Sequence, residues 1–118
     1  MINQSPAGKN GATTLGSCIR QAREHLGLSQ KELAGSIRLR SGSMMTASYL
    51  CDIEHERRCP ADEHIISAFA DRLGIDRDWL FYLAGWLPPD VRERRYTREE
   101  LFGIFDTLRR TTASGDQA

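Results

Sequence analysis

The chain carries no net charge: 16 Lys and Arg offset 16 Asp and Glu over 118 residues. That balance removes the simplest argument for a nucleic-acid partner, a strongly basic surface. No apolar run approaches the length of a membrane span and no apolar signal core follows Met1, so the expectation is a cytoplasmic protein with no membrane partner. The three cysteines, Cys18, Cys51 and Cys59, are odd in number and irregularly spaced, which argues against a disulfide framework and for free thiols. Cys51, His55 and Cys59 recur at every fourth residue, with His64 nearby. Such a series drifts around a helix, and Pro60 interrupts it. It matches no familiar zinc spacing, so no metal and no other cofactor is expected. A redox role for Cys51 stays open. His25 and His64 have no Ser, Cys or Asp in a catalytic arrangement, and no carboxylate pair marks a reacting site, so the chain is not expected to be an enzyme. Two-residue alternation, internal repeats and phosphate-cradling glycine loops are also missing, which leaves an all-α chain.

Helix signals are plentiful. Thr13 or Thr14 caps a first helix whose apolar residues Leu15, Ile19, Ala22 and Leu26 fall at helical spacing, and Gly27 stops it. Ser29-Gln30-Lys31-Glu32 is a capping box, so a second helix begins at Gln30, with Leu33, Ala34 and Ile37 on its core face. Residues 38–45, rich in Arg, Ser and Gly, read as a loop that begins with at most one helical turn. Thr46 caps a third helix over about Ala47 to His55. Pro60 suits the first turn of a fourth helix bearing Ile65, Ile66, Phe69, Ala70 and Leu73. Asp76 caps a fifth, with Trp79, Leu80, Leu83 and Ala84 inside. After Pro88-Pro89, Thr97-Arg98-Glu99-Glu100 opens a C-terminal amphipathic helix. The domain organisation expected is a flexible tail over 1–13, a helical domain over 14–87, a linker and helix over 88–110, and a flexible tail over 111–118.

The third helix organises the rest. Tyr49, Leu50 and Ile53 form a thin apolar seam, with Tyr49 expected at the junction with the second helix. Ser48, Cys51, Asp52 and His55 look outward, and Arg57-Arg58 follow. A helix with this outer face suits insertion into a groove. Residues 1–60 hold eight basic against five acidic residues, whereas residues 61–118 hold eight against eleven. The helix therefore lies in the basic half.

These segments resemble the helix-turn-helix domain of phage-repressor-like (Xre-type, lambda-repressor-like) regulators. The likeness runs through Ile19-Arg20, Arg23, Leu26-Gly27-Leu28-Ser29-Gln30-Lys31-Glu32-Leu33-Ala34, Ser48-Tyr49-Leu50-Cys51-Asp52-Ile53-Glu54, Arg57-Arg58, Pro60, Ala70-Asp71-Arg72-Leu73-Gly74-Ile75-Asp76 and Trp79-Leu80. It implies a five-helix domain over about residues 14 to 87 that binds double-stranded DNA as a transcriptional regulator, more often a repressor. By the same resemblance Gln30 touches the phosphate backbone, and Thr46, Ala47, Ser48 and Asp52 face base edges. Ser48 donates or accepts, Ala47 meets a thymine methyl and Asp52 accepts from a cytosine amino group. Arg57 and Arg58 clamp phosphates. Arg23 and Glu54 pair internally and are structural. The connection from Ala34 to Ser48 is several residues longer than the family's usual turn. Arg38 and Arg40 within it either reach flanking phosphates or solubilise a loop.

One recognition helix reads only a few base pairs, so a homodimer on an inverted repeat is expected. Its contact would be Leu101, Phe102, Ile104, Phe105 and Leu108 of the C-terminal helix, which could instead pack on their own domain. The rival is an antitoxin-like or protein-interaction module whose C-terminal helix docks on a protein partner.

Overall fold

Residues 13–117 are described by the computed structural model, with side chains through Thr111. The expected N-terminal tail thus lies almost wholly outside the described residues. Seven helices and no strand occur among them: α1 Leu15–His25, α2 Gln30–Ala34, α3 Ala47–Glu54, α4 Glu63–Leu73, α5 Arg77–Leu83, α6 Pro89–Glu93 and α7 Arg98–Gln117. The chain is all-α. It divides into two compact units, one ending at Pro88 and the other beginning at Pro89.

Local chemistry sets the helix starts in the first unit. Thr14, not Thr13, caps α1 by accepting from the Ser17 amide at 3.1 Å. Ser29 and Glu32 exchange hydrogen bonds across the first turn of α2, at 3.0 and 2.8 Å. The Ser29 amide also holds the Glu32 carboxyl below its ordinary pKa. Thr46 caps α3 through the Tyr49 amide. Each cap satisfies an amide that has no partner inside its helix.

The core gathers Leu15 and Ile19 of α1, Leu33 and Ala34 of α2, Leu50 and Ile53 of α3, five residues of α4 from Ile65 to Leu73, and Leu80 and Phe81 of α5. Ile37 and Met45, on either side of the α2–α3 connection, complete it. At about 1.5–3 kcal/mol for each fully buried large apolar side chain, this cluster supplies the main force holding α3 in place.

Several expectations need correcting. Pro60 is buried but lies outside α4, which starts three residues later with Asp62 as its cap. The Asp62 side chain accepts from the Ile65 amide, a stronger start signal than a proline alone. Leu26 is exposed because it is the C-terminal cap of α1, where the helix has already left the core. Trp79 is 44% exposed, while Phe81, which was not assigned to the core, is fully buried.

In the second unit, Pro89 opens the short α6, and the Tyr96 hydroxyl donates to the Val91 carbonyl at 3.0 Å. α7 continues to Gln117, through most of the stretch expected to be a tail. Thr107 and Thr111 donate to carbonyls four residues earlier, at 3.0 and 2.9 Å. Their hydroxyls are thereby satisfied within the helix.

Candidate functional site

α3 is anchored on one face and open on the other. Leu50 and Ile53 are buried, and Ser48 is exposed, with Cys51 and Asp52 partly so. Ser48, Cys51, Asp52 and His55 follow one another at spacings of three, one and three, so they share a side of the helix. Thr46 and Ala47 stand at its N-terminal end, the first exposed and the second half-buried.

A buried ion pair fixes this helix to its neighbours. Arg23 Nε of α1 donates to Glu54 Oε2 at 2.7 Å, and its Nη2 donates to Oε1 at 3.1 Å. The Glu54 side chain has no exposed surface, and Arg23 keeps only 11%. Arg23 Nη1 donates onward to the Leu28 carbonyl, which ties in the α1–α2 turn. The Glu54 carboxylate holds the Arg23 guanidinium above its ordinary pKa despite the opposing effect of burial. Gln30, expected at phosphate, donates its side-chain amide to Glu54 Oε1 at 3.0 Å. One carboxylate therefore joins α1, α2 and α3, and the Gln30 amide is committed inward.

The end of α3 carries no glycine, yet it closes as a Schellman motif. Glu56 takes φ 62°, its amide donates to the Ile53 carbonyl, and the Arg57 amide donates to the Asp52 carbonyl. A left-handed glutamate costs about 1–2 kcal/mol. In return its carboxylate accepts the Gly16 amide of α1 at 2.8 Å. Gly16 has to be glycine: an added Cβ would meet the Glu56 carboxylate and sit 2.5 Å from the Ile53 and Glu54 carbonyls. Neither Gly16 nor Glu56 was assigned a role from the sequence, because their contact spans forty residues.

The long α2–α3 connection folds as a tight hairpin-like turn. Arg38 and Met44 form an isolated antiparallel bridge, Met45 N donates to Ile37 O, and Leu39 N donates to Ser43 O, both at 2.8 Å. Gly42, at φ 97°, makes the reversal. Two contacts dock the turn on the start of α4. His64 Nε2 lies 2.8 Å from the Arg38 carbonyl, and Arg40 Nε pairs with Asp62 at 3.0 Å. The His64 contact thus ties the start of α4 to the turn.

The remaining basic candidates are held close to the protein. Arg38 Nη1 donates to the Gly42 carbonyl. The Arg58 guanidinium lies 4.1 Å from the centre of the Tyr49 ring, and the Tyr49 hydroxyl accepts from the Ala61 amide. The polar end of Tyr49 thus reaches the α3–α4 connection. Arg57 folds back over the outer face of α3 onto Asp52 and Cys51.

Among the cysteines, Cys51 Sγ lies 3.5 Å from His55 Nδ1. Burial pushes the Cys18 thiol pKa up, partly offset by a hydrogen bond with Trp79. Among the described residues no group of three His, Cys, Asp or Glu side chains is placed to hold a metal ion.

On α7, Phe102, Ile104, Phe105 and Leu108 are exposed and Leu101 is half-buried. Arg98 stacks over Phe102 and Arg109 over Phe105. No helix among the described residues is long and apolar enough to cross a membrane.

Residues 16–85 match the family model for a helix-turn-helix domain. None of the curated proteins and none of the solved structures matches the chain.

Proposed function

We propose that this chain, which belongs to the helix-turn-helix domain family, is a sequence-specific regulator of transcription of the phage-repressor-like type, acting as a repressor. The observation that carries the reading is the outer face of α3: small and polar side chains at Thr46, Ala47, Ser48 and Asp52, opposite a face anchored by Leu50, Ile53 and Glu54. Such a helix has the width and chemistry for the major groove, where Ser48 and the capping hydroxyl of Thr46 meet base edges. Arg58, stacked on Tyr49 of α3, and Arg38 and Arg40 of the α2–α3 turn meet the phosphate backbone. The Arg40–Asp62 pair is exposed and opens at little cost when a phosphate replaces the carboxylate.

Two copies bind together. The apolar side chains of α7, from Leu101 to Leu108, form the homodimer contact and lose their exposure in the dimer. DNase footprinting on duplex DNA selected by the protein tests the whole reading. The expected result is an inverted repeat whose half-sites are centred about one helical turn apart, ~34 Å, or a multiple of it. Sedimentation of the free protein at micromolar concentration shows the dimer, and Phe105→Glu returns it to monomer. A monomeric wild-type protein with no protected inverted repeat contradicts the proposal. It would favour the rival reading, in which α7 docks on a different protein.

A further inference from the structure

Asp52 and Arg57 were assigned separate tasks from the sequence, a base contact for one and a phosphate contact for the other. In the structure they are one unit. Arg57 Nε donates to Asp52 Oδ1 at 3.0 Å, Nη2 lies 2.9 Å from the same oxygen, and Nη2 also reaches Cys51 Sγ at 3.5 Å. The Schellman closure of α3 produces this arrangement. By turning the chain back at Glu56, it brings the Arg57 amide 2.8 Å from the Asp52 carbonyl and sends the side chain up the outer face. The guanidinium therefore lies beside the residues that face outward and is not directed away past the helix end. Arg57 remains 56% exposed, and Nη1 takes no part in these contacts.

Three physical points separate this arginine from its neighbours. First, Arg57 pairs with a carboxylate on the outer face of α3 itself, so opening the pair toward a phosphate would leave the Asp52 charge bare against the DNA. The Asp62 partner of Arg40, by contrast, caps α4 and keeps the Ile65 amide. Arg38 and Arg58 are held by a carbonyl and an aromatic ring, neither of which cancels their charge. Second, Asp52 Oδ1 already accepts two contacts from the guanidinium, which makes this carboxylate a weaker acceptor for a cytosine amino group. Third, a flexible arginine loses side-chain freedom when it binds. One already held by a carboxylate has lost part of that freedom beforehand and presents its planar fork in a fixed direction.

We infer that Arg57 is the guanine-reading residue of this face, donating to O6 and N7 from Nη1 and from Nη2 as the latter gives up its long contact with Cys51 Sγ, and that Asp52, which keeps Nε, is a positioning residue that aims it. The inference rests on α3 being the major-groove helix and adds what that helix selects: a G·C pair at one fixed position in each half-site.

The test is selection from a randomised duplex pool, followed by fluorescence anisotropy titrations over a range of salt concentrations. Wild-type protein should select a guanine at one position per half-site and bind about 5- to 150-fold more weakly when that pair becomes A·T. The double variant Asp52→Asn/Arg57→Gln keeps the wild-type net charge. It should lose discrimination at that position while its affinity for unrelated duplex and its salt dependence stay as in wild type. Asp52→Asn alone should discriminate less at the guanine yet bind unrelated duplex more tightly, an opposed change that a purely structural role would not give. Arg57→Lys should not restore the guanine preference, because an ammonium cannot span both acceptors. Circular dichroism melts confirm that each variant is folded.

The inference is overturned if the double variant weakens binding to all sequences alike and lowers the salt slope by about one, the signature of a lost phosphate contact. Undiminished guanine discrimination in Asp52→Asn overturns the positioning role. Selection that survives the double substitution sinks this inference alone, whereas a wild-type protein that selects no sequence removes the regulator reading as well.

Discussion

Arg23→Ala destabilises the helical domain by about 3–5 kcal/mol, as read from urea denaturation. The Glu54 side chain is fully enclosed, and after the substitution only the Gln30 amide, among the described residues, still serves its carboxylate. Most of the loss is the penalty for a buried charge left without its cation. The worth of the pair itself is smaller, so Arg23→Met/Glu54→Met recovers much of the stability by replacing both partners with apolar groups. An internal comparison comes from Arg77, whose pair with Asp71 is exposed at 55% and 71%. Arg77→Ala changes stability by less than about 1 kcal/mol. A loss below about 1 kcal/mol for Arg23→Ala would show that Glu54 does not clamp three helices together.

Phe81→Ala costs about 3–5 kcal/mol, and Trp79→Ala costs less than half as much. Phe81 is fully enclosed and touches Trp86 with ring centres 6.4 Å apart. Trp79 and Tyr82 instead stack on each other at 5.5 Å near the surface, where both remain exposed. For a domain of this size each kcal/mol moves the melting temperature by about 4–8 °C, so thermal melts separate the two variants readily. A larger shift for Trp79→Ala than for Phe81→Ala would mean that α5 presents its other side to the core.

These residues also show where the sequence was legible. Trp79-Leu80-Phe81-Tyr82-Leu83 is an unbroken apolar run in a seven-residue helix, so no period distinguishes its inner face. In α4, by contrast, Ile65, Ile66, Phe69, Ala70 and Leu73 alternate with polar residues, and all five are buried. The caps of α2 and α3 were readable because Ser29 and Thr46 act within three residues of themselves. The end of α3 was not readable, because a left-handed glutamate replaces the usual glycine and is rewarded only by Gly16 on a distant helix. The hairpin at 38–44 was likewise hidden, since its ties to His64 and Asp62 cross more than twenty residues.

The outer face of α3 follows from helical spacing alone, which is why Ser48, Cys51, Asp52 and His55 could be grouped from the sequence. The partners of Gln30, Arg40, Arg57 and Arg58 could not. Whether a long polar side chain reaches outward or folds onto a neighbour depends on what stands beside it in space. Here Glu54, Asp62, Asp52 and Tyr49 supply those neighbours. A zero net charge was no guide either, because the pairs that cancel are partly internal to the face itself.

The most direct test of the central claim is a titration of wild-type protein and Ser48→Glu against the selected duplex, repeated at rising salt. Ser48 is exposed at the start of α3, so a carboxylate there leaves the fold intact and places a negative charge where the groove must come. The expected result is tight wild-type binding that falls steeply and linearly in log–log form with salt, and a loss of ~30-fold or more for Ser48→Glu from like-charge repulsion. Equal binding by the two proteins, or no binding by either at low salt and micromolar concentration, would contradict the placement of this helix in DNA.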